Sequence, residues 1–303
     1  MTLPYLDAAR VRDALSPETA VASLRQRLLT DPPSADRPSR SFVPVRRGEL
    51  LVMPDESASA VGMKILSIAR DNPARNLPAI QGIYLLMDAE TLTPQALFDA
   101  AELTCVRTSA VSMLAVTHLN PPSRPQVVVV GTGPQALAHC HAAGLLEPSE
   151  VGVIARTSDH GDALVETARQ RGLNVRRVEY SALAEADVIV CCTTAREPII
   201  SSKDVKDDVI IVAMGSHEPT ARELATDLMD DAFVVVESRE NARREAGDII
   251  IAEHERGRNL IDATLDELVR ASTAPRSGRR VFKSVGDAWE DLTIAQAIVE
   301  DLR

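Results

Sequence analysis

Residues 127–140, VVVVGTGPQALAHC, place two glycines directly after four valines. A β-branched run without polar alternation reads as a strand buried on both faces, as in a parallel sheet. Gly131, Gly133 and Ala136 then stand at the G-x-G-x-x-A spacing. The first would allow a tight strand-to-helix turn, the second a close approach of a pyrophosphate, and the alanine close helix–strand packing. With Thr132, Pro134 and Gln135 between them, they would open a helix whose first N–H groups point at phosphates. The chemistry on offer is dinucleotide binding. Any buried strand–turn–helix can carry two glycines, so the surrounding elements decide.

Ser16 and Pro17 read as the N-cap and first residue of a helix running to about Leu29. DPPSADRPSR (31–40) is a loop by its prolines. Strand-like runs follow: SFVPVRRGELLVMP, VGMKILSIA and IQGIYLLMDAETLTPQALFD, the last as a hairpin. A helical pattern covers Glu102 to Leu119, and the segment 120–125, NPPSRP, marks a boundary. Beyond it the rhythm changes. Apolar strand candidates at 127–130, 151–155, 187–192, 209–214 and 233–236 alternate with polar or helical stretches, the pattern of a doubly wound α/β sheet. The tail WEDLTIAQAIVEDL closes the chain as a helix. A glycine turn after the first strand of such a sheet is the expected context for a dinucleotide.

The second strand, VGVIA, is followed by Arg156 and Thr157. An NAD site usually places an acid here for the ribose 2′-hydroxyl. An arginine can instead pair bidentately with a 2′-phosphate. NADP(H) is therefore expected in preference to NAD(H).

Composition narrows the remaining classes. A net charge of −11 leaves no basic stripe for nucleic acid, and 3% aromatic residues disfavour base stacking. No apolar run reaches the length of a membrane span and the N-terminus lacks a signal-peptide layout, so a cytoplasmic protein is expected. Cys105, Cys140, Cys191 and Cys192 form no C-x-x-C pair and read as reduced thiols in or near the core. No metal site is expected: the histidines are scattered, and His139 and His141 point to different faces of one helix.

Two cations stand in apolar patterns. Lys64 interrupts VGMKILSI, where a buried lysine needs a partner, and Arg107 opens RTSAVSMLAV, a run with no evident exposed face. From the residues alone both read as ion-pair residues, and Arg40, after the proline loop, is uninformative.

Taken together, these blocks resemble the ornithine cyclodeaminase/mu-crystallin family. The similarity runs through RPSRSFVPV, LLVMPDES, GMKILSI, NLPAIQGIYLLMDAETLTPQALFDAAELTCVRTSAVSMLA, VVGTGPQA, ADVIVCCTT, AMGSHEPTARELATDLM, VVESRENARREAGDI and VFKSVGDAWEDLTIAQ. The pairing of VRTSAVS with GTGPQA in one chain is its most specific part. The resemblance implies a homodimer whose subunit is a Rossmann-type doubly wound sheet domain (120–287) inserted in an α+β dimerisation and substrate domain (1–119 plus 288–303). It implies small α-imino or α-amino acid substrates, with the carboxylate held by Arg40, Lys64 and Arg107. It also extends the cofactor-binding set to Thr193 and Thr194 and to Met214 and Gly215.

One position departs from the cyclodeaminase members. Where they carry Gly-Ala-Asp, with the acid serving a diamine substrate, this chain has Gly215, Ser216 and His217. An imidazole can move a proton but offers no fixed negative charge for a second ammonium group. His217 joins Lys64 and Arg107 as a catalytic candidate, and Glu218 next door is a possible substitute acid. The expected activity is reduction of cyclic imino acids, Δ1-pyrroline-2-carboxylate or Δ1-piperideine-2-carboxylate, to proline or pipecolate. A cyclodeaminase, a related amino-acid dehydrogenase and a non-catalytic crystallin-like binding protein are the alternatives.

Overall fold

The computed structural model describes residues 3–33, 40–75, 77–271, 275 and 277–302. Most of the loop expected at 31–40, with part of the RPSRSFVPV block, lies outside them. The chain divides into two compact units, Met1–Val111 with Asp287–Arg303, and Ser112–Gly286.

The first unit holds β1 (Tyr5–Leu6), α1 (Ala8–Asp13), α2 (Pro17–Thr30), β2 (Ser41–Val45), β3 (Gly48–Glu56), β4 (Ala60–Ile68), β5 (Ile80–Asp88), β6 (Pro94–Asp99) and the start of α3 (Ala100–His118). Its sheet has the order β1-β6-β5-β4-β3-β2, antiparallel except for the β1–β6 pair. Ser16 caps α2 by accepting from the Thr19 N–H, as its sequence predicts. In β4, Ala60, Gly62, Lys64 and Leu66 are buried and the residues between them are only partly covered, so alternate side chains point to one covered face. Lys64 lies in register with Met53 on β3 and Tyr84 on β5.

The second unit holds β7 (Val127–Val130), α4 (Pro134–Ala142), β8 (Val151–Ile154), α5 (Ser158–Gln170), β9 (Val175–Arg177), β10 (Val188–Cys191), β11 (Ile210–Ala213), α6 (Thr226–Met229), β12 (Phe233–Val236), α7 (Arg239–Glu245), α8 (Gly247–Arg256), β13 (Ala263–Thr264), α9 (Leu265–Val269) and β14 (Arg280–Lys283). All eight strands pair in parallel, in the order β13-β12-β14-β11-β10-β7-β8-β9. Strands β7, β8, β10, β11 and β12 are buried along their whole length, which is why they lack polar alternation. All five expected strands form. The last, β14, inserts between β11 and β12; its four residues begin and end on the cations Arg280 and Lys283, which hid it from a search for apolar runs.

The final helix, α10 (Ala288–Asp301), belongs to the first unit and packs against β3, β4, β5 and α2. It covers the face of the sheet toward which Lys64 points.

Candidate active site

Two regions gather the candidate residues, one in each unit. In the first, the inner face of the sheet presents Lys64, and the first two turns of α3 present Thr104 and Arg107. Helix α10 lays two acids against them. The Lys64 Nζ donates to Asp291 Oδ2 at 2.6 Å and to Thr104 Oγ1 at 3.4 Å. Arg107 Nη1 meets Glu290 Oε2 at 2.5 Å, and its Nε lies 3.6 Å from Asp291 Oδ1. Lys64 is 1% exposed, Arg107 6%, and both acids 0%.

Buried charges persist only when paired, and removing one member leaves its partner stranded. Here two buried cations, Lys64 and Arg107, meet two buried carboxylates, Asp291 and Glu290. Arg40 is half-buried at the start of β2, near enough to bear electrostatically on Lys64. A buried ammonium and guanidinium set close together in this way present charged donors suited to a small anion. The Tyr84 hydroxyl, beside Lys64 in the register, is buried without a hydrogen-bond partner among the described residues and can offer a further donor.

The Lys64 ammonium is held down at about 8. Burial is the largest cause, Arg107 and Arg40 push the same way, and Asp291 opposes them. The lysine can thus give up a proton near neutral pH. Burial likewise drives the Tyr84 phenol well above its ordinary value, with Asp291 and Asp55 adding to the effect, so it stays a neutral donor.

In the second unit, the turn after β7 has the form its glycines predict. Gly131 takes φ +131°, and a side chain there would drive into the Cys192 carbonyl, its Cβ 2.4 Å from the oxygen. A Cβ on Gly133 would meet nothing within 4 Å. Gly133 is the N-cap of α4 and supplies no side-chain hydrogen bond, Pro134 takes the first turn, and Ala136 is fully buried. The helix thus begins with its first N–H groups uncapped by any side chain, over an open space that a phosphate can enter. The turn lies where β7 has β8 on one side and β10 on the other, the switch point of the sheet. The residues present fit a dinucleotide.

Other candidates around this sheet are placed as follows. Arg156 and Thr157 follow β8, both exposed, with Thr157 at the N-cap of α5. Thr193 and Thr194 follow β10, and Met214, Gly215 and His217 follow β11; Thr194 and His217 are exposed. His139 is buried and bonded to Ser112 Oγ at 2.9 Å and the Gln135 carbonyl at 2.8 Å, and burial lowers its pKa to about 4. It is a neutral core residue, whereas His141 is exposed. Among the described residues no cluster of histidine, cysteine and acidic side chains is placed to hold a metal ion, and no helix is long and apolar enough to cross a membrane.

Sequence reasoning missed Glu290, Asp291 and Tyr84. The signal for the acids was present: adjacent carboxylates in the otherwise apolar helix WEDLTIAQAIV need buried cations, and Lys64 and Arg107 were already in search of partners.

A parallel sheet with a glycine turn at its switch point, joined in one chain to a buried cationic cluster, defines a two-unit α/β protein of the dinucleotide-dependent type. The chain belongs to the ornithine cyclodeaminase/mu-crystallin family, whose pattern matches residues 9–303. It is 33% identical over 270 residues to the mouse ketimine reductase mu-crystallin, covering 87% of this chain and 84% of that protein. It is 31% identical over 281 residues to a Δ1-pyrroline-2-carboxylate reductase of Bacillus thuringiensis subsp. konkukian, covering 86% of each. Its structure matches that of the Thermococcus litoralis Δ1-pyrroline-2-carboxylate reductase in complex with NADH and L-proline with a TM-score of 0.89, at 27% identity over 99% of this chain and 97% of that one.

Proposed function

We propose that this protein is an NAD(P)H-dependent reductase of cyclic α-imino acids, converting Δ1-pyrroline-2-carboxylate or Δ1-piperideine-2-carboxylate to proline or pipecolate. The observation that carries the reading is the pair of buried cations, Lys64 and Arg107, brought side by side by Asp291 and Glu290, with Arg40 near enough to bear electrostatically on Lys64. Such a group suits one carboxylate attached to a small, flat molecule. The names of the reductases to which the chain is similar support the same reaction.

The bound nicotinamide supplies a hydride for the imine carbon that bears the carboxylate. Arg40, Lys64 and Arg107 hold that carboxylate and fix which carbon is presented, an orienting effect that accounts for a large share of enzymatic rate. As the C=N π pair moves onto nitrogen, Lys64 gives it the proton, directly or through one water, and regains a proton from solvent. An ammonium held at about 8 is matched to this task. His217, exposed after β11, is the alternative donor.

NADP(H) is the preferred cofactor in this reading. Ala155 stands where a 2′-hydroxyl acceptor would be, and Arg156 is exposed beside it to meet a 2′-phosphate. A homodimer is supported by the uncovered face of the first sheet, where Val52, Ile65 and Ile83 lie side by side with Met63 and Leu85 in the next row. A contiguous apolar surface of this kind is characteristic of an interface. Ile83→Lys should shift the protein to monomer in analytical ultracentrifugation, and an unchanged mass would refute that face.

The test of the reaction is a panel of both cyclic imino acids, ornithine, lysine and alanine with each cofactor. Rapid reduction of an imino acid, with little ammonia released from ornithine, is expected. Brisk formation of proline and ammonia from ornithine would instead make the protein a cyclodeaminase.

A further inference from the structure

Beneath the loops that follow β10 and β11 lies a second buried ionic group, wholly within the second unit and unused by the proposed reaction. Glu223 Oε1 accepts the Thr193 N–H at 2.8 Å and the Thr193 hydroxyl at 2.7 Å, while its Oε2 accepts the Gly215 N–H at 2.7 Å. One carboxylate thus spans two loops. Asp248 Oδ1 fixes the Glu223 and Leu224 N–H groups at 2.8 and 2.9 Å, and its Oδ2 lies 3.0 Å from Lys283 Nζ. Lys283 in turn donates to the Ser216 carbonyl at 2.6 Å, holding the β11 loop a second time. Glu223 is 0% exposed, and Asp248 and Lys283 1% each.

A buried ionic group brings little net stability, because desolvation offsets its Coulombic gain. Apolar side chains would fill the space at lower cost. What they could not do is accept three hydrogen bonds from two separate loops, which needs both oxygens of a carboxylate. We propose that Glu223 is a positioning residue that latches the Thr193–Thr194 and Met214–Gly215 loops into the one arrangement that binds the dinucleotide. The inference rests on the dinucleotide reading of the preceding section.

Glu223→Gln tests it, since the amide NH2 sets a donor against either Thr193 or Gly215. Thr193→Val removes the hydroxyl, which also accepts the Ala195 N–H at 3.2 Å, and keeps the backbone donor to Glu223. NADPH and NADH binding is followed by nucleotide fluorescence on the full-length protein, alongside thermal unfolding. In Glu223→Gln both dissociation constants should rise about tenfold with their ratio unchanged, because the latch is separate from Arg156. The imino-acid KM at saturating cofactor should stay within twofold. Thr193→Val should weaken binding about threefold, and adding it to Glu223→Gln should cost nothing more, since both act through one latch. Dissociation constants within twofold of wild type in Glu223→Gln, or multiplying effects in the double variant, overturn the inference. If Glu223→Gln does not fold, Thr193→Val decides alone, and unchanged binding there overturns it too. Wild-type protein that binds neither nucleotide would overturn the proposed function itself, a distinct outcome.

Discussion

The two units build their candidate sites from opposite materials. The second unit presents backbone to its ligand: a φ that only glycine adopts readily, an uncapped helix start, and a first strand, β7, that is apolar throughout, with the buried Glu223–Asp248–Lys283 group lying behind the loops. The first unit uses side-chain charge: a lysine and an arginine buried against two carboxylates. A backbone site tolerates changes in neighbouring side chains provided the turn survives. A charge site depends on each member, because every pair lost strands an ion in a dry interior. Substitutions should therefore be severe in the first region and graded in the second.

The largest effect is expected from Lys64→Ala and Arg107→Ala. Each should cut turnover on the imino acid by roughly 10²-fold or more while leaving NADPH binding intact, as expected when an orienting charged contact is lost. Each should also destabilise the fold, by about 3–5 kcal/mol, because Asp291 loses its 2.6 Å contact with Lys64, or Glu290 its 2.5 Å contact with Arg107, in a buried setting. Adding Asp291→Asn to Lys64→Ala separates the two: stability measured by urea unfolding should recover in part, and turnover should not. Near-normal kinetics in both single variants would erase the contrast between the units.

The same contrast explains what could be read in advance. The turn at Gly131–Gly133 is a local feature, with β7, both glycines and Ala136 all within residues 127–136, and each neighbouring strand shows in its own apolar run. The pairs Lys64–Asp291 and Arg107–Glu290 join residues 227 and 183 positions apart. Nothing local in VGMKILSI says which acid will meet its lysine; only the return of α10 to the first sheet does so. Sequence therefore announced that Lys64 and Arg107 needed partners and left the partners unnamed. Burial is also the largest cause of the depressed lysine, and the same return of α10 supplies it. Strand β14 escaped for a related reason, as its pairing between β11 and β12 is set by the sheet and its two terminal cations mask the pattern.

An effect of intermediate size is expected at the edge of the backbone site, where specificity passes to a side chain. If Arg156 meets the 2′-phosphate, NADPH should bind about tenfold more tightly than NADH, a difference of about 1.4 kcal/mol. Arg156→Glu should reverse the order without altering folding, since the residue is exposed. Equal affinities in the wild type, unchanged by the substitution, would leave the second unit a purely backbone site with no preference between cofactors.

The last effect concerns pH, halving activity near pH 8, and it separates the charge site from the fold that carries it. If protonated Lys64 is the donor, kcat/KM should fall by half near pH 8 and then about tenfold for each further unit. Stability should not fall with it. The lysine binds its proton less tightly folded than unfolded, where it titrates near 10.5, so between about pH 8 and 10.5 the unfolded chain holds more protons. Proton linkage then makes this residue's contribution to stability rise with pH across that window. Activity and stability should move in opposite directions, which simple alkaline unfolding could not produce. Lys64→Arg keeps the charge and cannot release the proton in this range. It should retain imino-acid binding, lose most turnover and lack the limb near pH 8. If the limb persists in that variant, the proton comes from elsewhere, with His217 the next residue to replace, and Lys64 serves the carboxylate alone.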